Sequence, residues 1–218
     1  FSPHAIIRSV EEGLKLDFAE AILNERKLFE ECIESPQRQG LIHSFFAERA
    51  NTKIPELKEG KPIELKKIGI IGGGTMGTGI SMAAMNAGFN VIMIEQNDEA
   101  IQKAMAKINS TYDRSVKLNR ITTEQKNKTM DMFSATTNFS ELKDRDLIIE
   151  AVFENMDVKK EVFVKLNQIC SQDCILASNT SYLNVNEIAS VVDNPSRVIG
   201  LHFFSPANIM KLLEVVVA

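Results

Sequence analysis

The sequence is poor in cysteine. It holds three, Cys32, Cys170 and Cys174. An odd number does not close a disulfide framework, and Cys170 and Cys174 stand without a second pair of metal ligands. Reduced core thiols are expected, no metal site is expected, and the compartment reads as intracellular. Long apolar runs are also missing. None approaches the ~20 residues that cross a bilayer. Basic excess is missing too: the formal net charge is -4, which gives no ground for nucleic acid or a membrane surface as partner. There is no internal repeat and no low-complexity tract. The opening "FSPHAII" has no initiator Met, no basic n-region and no cleavable apolar stretch, so the chain reads as a piece of something longer. What remains is ordinary globular composition, 44% hydrophobic and 25% charged over 218 residues, enough for one large domain or a domain with an appendage.

Two textures divide the chain. Residues 1–50 carry few β-branched alternations and read as short helices. Ser2-Pro3 offers an N-cap and a first-turn proline. Asp17 suits the cap of a second helix with Phe18, Ile22, Phe29 and Ile33 roughly on one face. Ser35-Pro36 and Gly40 are expected to break that run before a third segment with Leu41, Ile42, Phe45 and Phe46. Residues 51–66 have a linker composition, charged and punctuated by Pro55, Gly60 and Pro62. From Lys67 onward, short apolar runs alternate with helical patterns. "KIGIIG", "NVIMIE", "FSATT", "DLIIEAV", "CILAS", "RVIGLHFF" and "LLEVVV" read as seven strands. This alternation predicts an α/β domain over 67–218, a Rossmann-type, doubly wound, mostly parallel sheet preceded by a short helical segment.

The stretch "GIIGGGTMGTGI" places Gly72, Gly74 and Gly77 in the spacing G-x-G-x-x-G. Alone, that spacing is weak. Here it follows an apolar strand, opens a helix of small residues, and is answered about twenty positions on by Glu95 at the end of the next strand. Gly72 permits the tight turn, Gly74 lets the backbone approach a pyrophosphate, and Gly77 lets the helix pack close to the sheet. The first helical residues, Thr75 and Met76, present free N–H groups and the positive end of the helix dipole to the phosphates. Glu95 suits the two ribose hydroxyls of an adenosine and repels a 2′-phosphate, and Gln96-Asn97 supply no Arg to attract one. NAD is expected over NADP.

Ligands of such sheets bind outside the carboxyl ends of the strands. There the sequence puts Glu150, Glu154 and Lys159 after the fourth strand and Asn179, Thr180 and Ser181 after the fifth. These groups suit the cofactor's ribose and amide, and a substrate oxygen. They equally suit helix caps and dipole partners. The last nineteen residues, "GLHFFSPANIMKLLEVVVA", set His202 in one apolar run and Glu214 in another. A histidine is suited to take a proton from an alcohol as hydride leaves, with a carboxylate holding its ring. Glu214 buried unpaired among Leu212, Leu213, Val215 and Val216 is costly, which argues for a partner. A core histidine and a backbone-capped or Lys211-paired acid remain the bland alternative. His4 and His43 fall on the helical appendage.

Four motifs in order, "IGIIGGGTMGTGI", "DLIIEAVFENMDVKKEVF", "ASNTSYLNVNEIAS" and "GLHFFSPANIMKLLEVV", resemble the NAD-binding domain of L-3-hydroxyacyl-CoA dehydrogenases of fatty-acid β-oxidation. The "FFAERA" stretch and linker resemble the join in multifunctional enzymes of the peroxisomal type. The resemblance implies NAD-dependent oxidation of (3S)-3-hydroxyacyl-CoA. His202 would be the base, Glu214 its partner, and Ser181 the donor to the 3-oxygen. Asn179 would shape that site, and Gly72, Gly74, Thr75, Met76, Gly77, Glu95, Glu154 and Lys159 would contact NAD. Ser110 and Lys117 fall about where the family meets CoA. Residues 1–50 would be the tail of an upstream hydratase portion plus a connecting helical segment. A helical C-terminal domain of the same chain would be a further partner, and the setting would be peroxisomal in a eukaryote, cytoplasmic otherwise. Alternatives are a stand-alone 3-hydroxybutyryl-CoA dehydrogenase and a catalytically silent NAD-binding module.

Overall fold

A computed structural model describes residues 1–51, 53–54 and 62–217. The chain divides into two compact units, 1–62 and 63–218. Pro55 and Gly60 of the expected linker lie outside the described residues.

The first unit has three helices, α1 (Ser2–Gly13), α2 (Phe18–Ile33) and α3 (Pro36–Ala50). Asp17 caps α2 as its residue type suggests, accepting from the Glu20 N–H at 2.9 Å. Two local expectations change. Ser2 lies inside α1 and Phe1 is the capping position. Gly40 does not break anything. It sits within α3, which starts at Pro36 with Ser35 as its cap, because an interior glycine costs only about 1 kcal/mol against alanine. Leu28 is the core hydrophobic these helices bury.

The second unit is a seven-stranded sheet in the order β3-β2-β1-β4-β5-β6-β7. Its elements are β1 (Lys67–Ile71), α4 (Thr75–Asn86), β2 (Asn90–Ile94), α5 (Asp98–Lys117), α6 (Thr123–Met130), β3 (Phe133–Thr136), β4 (Leu147–Glu150), α7 (Met156–Ile169), β5 (Ile175–Ser178), α8 (Val185–Ala189), β6 (Val198–Phe203) and β7 (Leu213–Val217). The first six strands are parallel, and β7 returns antiparallel to β6. The chain reverses direction across the sheet between β1 and β4, and that switch point opens a crevice at the strand ends.

Alternate residues of the inner strands feed two cores. Ile68, Ile70, Val91, Met93, Leu147 and Ile149 pack with α4 and α5. Ile71, Ile92, Ile94, Ile148 and Leu176 pack with α7 and α8, where Cys170 and Cys174 are also buried. Burial on both faces explains why these strands are continuous apolar runs without polar alternation. In α6 the sequence TEQKNKTM holds too few apolar residues to show a helical period. Its signal is a capping box: Thr122 Oγ1 accepts from the Gln125 N–H, and Gln125 Oε1 accepts from the Thr122 N–H.

Candidate active site

The glycine loop joins β1 to α4. Gly72 has φ +95°, and a Cβ there would meet the Ala151 carbonyl oxygen at 2.8 Å. A Cβ on Gly77 would overlap the Gly72 carbonyl oxygen. Gly74 is different. Nothing lies within 4 Å of where its Cβ would be. It is the N-cap of α4 and supplies no side chain to the first-turn N–H groups, which leaves them to an anion. Gly73, which the G-x-G-x-x-G spacing leaves unspecified, is also constrained. A Cβ there would lie 2.8 Å from both Ala104 Cβ and Met93 Sδ. The run of three glycines was the signal.

A cleft of about 570 Å³ runs from this loop past the end of β2. Of the residues assigned to NAD, Gly72, Gly74, Thr75, Met76 and Glu95 line it, while Gly77, Glu154, Lys159 and Asn179 do not; Phe139, Val158, Val162 and Lys165, which sequence spacing did not single out, line it as well. The Glu95 carboxylate accepts the Gly73 N–H on one oxygen and the Gln96 N–H on the other, at 2.9 Å. A carboxylate has about four lone-pair sites, so room remains for two ribose hydroxyls. The cavity beside Gly74, the free helix start and this acid fit a dinucleotide.

The polar residues after β4 and β5 form one network. Glu154 Oε1 accepts the Thr180 hydroxyl at 2.6 Å and the Ser181 N–H at 2.8 Å, and Oε2 lies 3.1 Å from Lys159 Nζ. Burial pushes the Glu154 carboxyl up, but the bonds from Thr180, Ser181 and Lys159 outweigh it and hold the group below the usual carboxylate range. Asn155, not Glu154, caps α7, and Asn184 caps α8. Within its own turn Thr180 Oγ1 also accepts the Leu183 N–H at 2.9 Å, so this hydroxyl both closes the turn and ties it to Glu154. Lys159 is placed unlike the expectation of a cofactor contact. It is 1% exposed, with its ammonium on Glu150 and Glu154. Asn179 Oδ1 accepts the Phe203 N–H at 3.0 Å and ties the Ser181 turn to β6.

His202 and Glu214 are cross-strand partners in the antiparallel β6–β7 register. His202 Nδ1 and Glu214 Oε2 are 2.8 Å apart. An ionised carboxylate only accepts, so Nδ1 is the donor to Glu214 and Nε2 is the ring nitrogen left for chemistry. Phe204 sits against the imidazole, ring centroids 4.6 Å apart. The expected burial of Glu214 is corrected. Its side chain is 52% exposed, and all five β7 residues are exposed, because β7 is an edge strand. Pairing, not burial, explains the acid. The loop after β6 comes back to α4, where Ala207 packs on Gly79, so the pair stands at the same end of the sheet as the glycine loop. Ser110 and Lys117 are not brought to that cleft. Both are exposed on the later part of α5, the Ser110 hydroxyl donating to the Lys107 carbonyl. Nearby, Tyr112 reaches Asn86 at the end of α4.

Against known proteins, the family model for the 3-hydroxyacyl-CoA dehydrogenase NAD-binding domain matches residues 67–218. The chain belongs to this family. Its cofactor is NAD. A peroxisomal fatty acid beta-oxidation multifunctional protein of Arabidopsis thaliana is 36% identical over 215 residues, 98% of this chain and 30% of that protein. The structure of 3-hydroxybutyryl-CoA dehydrogenase from Escherichia coli K12 matches 70% of this chain and 32% of that one at TM-score 0.69 and 36% identity. The dehydrogenase part of multifunctional enzyme 1 from C. elegans matches 71% of this chain and 35% of that one at TM-score 0.64 and 35% identity. The chain spans about 30% of the length of the Arabidopsis relative. Among the described residues, no helix is long and apolar enough to cross a membrane.

Proposed function

We propose that this chain is the cofactor-side half of an enzyme that oxidises (3S)-3-hydroxyacyl-CoA to 3-ketoacyl-CoA. The observation that carries the reading is the His202–Glu214 pair, 2.8 Å apart, at the same end of the sheet as a dinucleotide cleft. NAD held in that cleft would supply the acceptor for the hydride that leaves C3. His202 Nε2 takes the proton of the 3-hydroxyl while Glu214 holds the ring and stabilises the imidazolium. The Ser181 hydroxyl donates to the 3-oxygen, and Asn179 holds that turn against β6. Gly74, Thr75 and Met76 receive the pyrophosphate on the loop that Gly72 and Gly77 shape, and Glu95 receives the ribose. Glu154 and Lys159 serve the nicotinamide end, Lys159 by fixing Glu154. Ser110 and Lys117 meet the CoA portion.

The multifunctional relative aligns with nearly the whole chain, helical unit included, while the E. coli dehydrogenase structure matches 70% of it. This supports a multifunctional parent with a hydratase portion upstream and a helical domain downstream that covers the acyl-CoA. The peroxisomal relatives support a peroxisomal setting if the source is a eukaryote, and a cytoplasmic one otherwise.

NADH oxidation with acetoacetyl-CoA tests this. The chain extended through the downstream domain turns over, and this chain alone is slow or inactive. His202→Ala in the extended protein lowers kcat by about 10²–10⁴. Persistent activity in that variant sinks the mechanism, and equal rates for the short and extended chains sink the need for the downstream domain.

A further inference from the structure

Under the Ser181 turn lies a buried carboxylate to which the reaction above gives no part. Glu150 closes β4 and is 0% exposed. Its register partner on β5 is Ser178, whose hydroxyl donates to Oε2 at 2.6 Å. Oε1 accepts the Val152 N–H at 2.7 Å. Lys159 Nζ reaches both oxygens, at 2.8 and 3.0 Å, and Glu154 Oε2 at 3.1 Å. Glu154 in turn holds the Thr180 hydroxyl and the Ser181 N–H. An unbroken line of polar contacts thus runs from the sheet's centre to the turn that carries Ser181.

We propose that Glu150 is a positioning residue: through Lys159 and Glu154 it sets the place of the Ser181 hydroxyl, and so the alignment of the substrate oxygen. The inference rests on the substrate role assigned to Ser181. Its physical basis is the cost of a buried charge. Lys159, 1% exposed, keeps its ammonium in that place only while both carboxylates hold it. Removing the Glu150 charge leaves one carboxylate, Glu154, whose side chain is 27% exposed, to hold the buried ammonium, and the pull of Lys159 then draws Glu154 away from the turn. When Glu154 moves, Thr180 and Ser181 lose their acceptor. Buried ion pairs are weak sources of stability compared with apolar packing, and what this one offers is direction. The Glu150 main chain gives the same turn a second tie, its carbonyl accepting the Asn179 N–H at 2.8 Å.

A double-mutant cycle and hydrogen exchange test the inference on the extended protein. Glu150→Gln keeps the shape and removes the charge. It lowers kcat about tenfold when Ser181 is present and less than about twofold in a Ser181→Ala background, as groups acting as a unit do. Equal loss in both backgrounds makes Glu150 merely structural and overturns the inference. Exchange is read without substrate. In Glu150→Gln the peptide over residues 179–184 exchanges about tenfold faster while the β2 peptide is unchanged. Equal acceleration in both peptides, or none, also overturns it. If Glu150→Gln does not fold, Ser178→Ala removes one donor to the same carboxylate and gives the same pattern at about threefold, and an unchanged 179–184 peptide overturns the inference. Wild-type turnover judges the reaction separately. No turnover together with the expected exchange pattern rejects the reading of Ser181 and supports the hold of Glu150 on the turn.

Discussion

Tyr112 shows how much a single buried group sets. It is 6% exposed, and its hydroxyl donates to Asn86 Oδ1 at 2.9 Å. Burial pushes the phenol from 10.0 up to about 12. The folded chain therefore ionises this group later than the unfolded one. Its contribution is whole below pH 10 and is lost as pH rises from about 10 toward 12. Denaturant unfolding followed by circular dichroism across that range shows wild-type stability falling, with a shallower slope for Tyr112→Phe. At neutral pH that variant loses about 1 kcal/mol with its hydrogen bond. Parallel slopes would refute the argument. The same scale separates what spacing revealed from what it did not. Glu95 was legible because strand, glycine loop and acid keep a fixed distance along the chain. The burial of Lys159 was not, because nothing local distinguishes a lysine aimed at a ligand from one aimed at two carboxylates.

At the scale of elements, the glycine loop divides into positions that serve the fold and one that serves the ligand. A Cβ at Gly77 meets backbone, and one at Gly74 meets open space. Gly77→Ala is thus expected to lower Tm by more than about 5 °C, since a carbonyl cannot move aside as a side chain can. Gly74→Ala keeps Tm within about 2 °C, as an uncrowded substitution does, yet weakens NAD binding about tenfold or more by filling the approach to the phosphates. Calorimetry and an NAD titration check both, and a Gly74→Ala protein that binds NAD normally removes the cradle. All seven strands and the long helices were legible, the central strands because burial on both faces leaves continuous apolar runs. The direction of β7 was not. An edge strand of valines reads the same whether it runs parallel or antiparallel, and the pairing that sets Glu214 opposite His202 depends on that direction.

For the molecule as a whole, the two units differ in kind. Residues 63–218 hold both core clusters, whereas the three helices bury Leu28 and leave Phe18, Phe29, Leu41 and Phe46 largely exposed. A chain of residues 63–218 is therefore expected to unfold cooperatively, with Tm within about 3 °C of the full chain, and to keep its NAD affinity. The sequence has no tryptophan, so circular dichroism is the probe. A truncated chain without a cooperative transition would show that the helices are part of the fold. The sequence by itself determined the sheet class, the glycine loop and the acid that favours NAD, since each rests on local periodicity or a fixed spacing. It also singled out His202, Glu214, Asn179 and Ser181 as residue types in suggestive places. Only the tertiary structure decided what these do together. Antiparallel pairing across an exposed edge joined the histidine to its acid, and a charge that could not be buried alone drew Glu150, Lys159 and Glu154 into one line beneath Ser181.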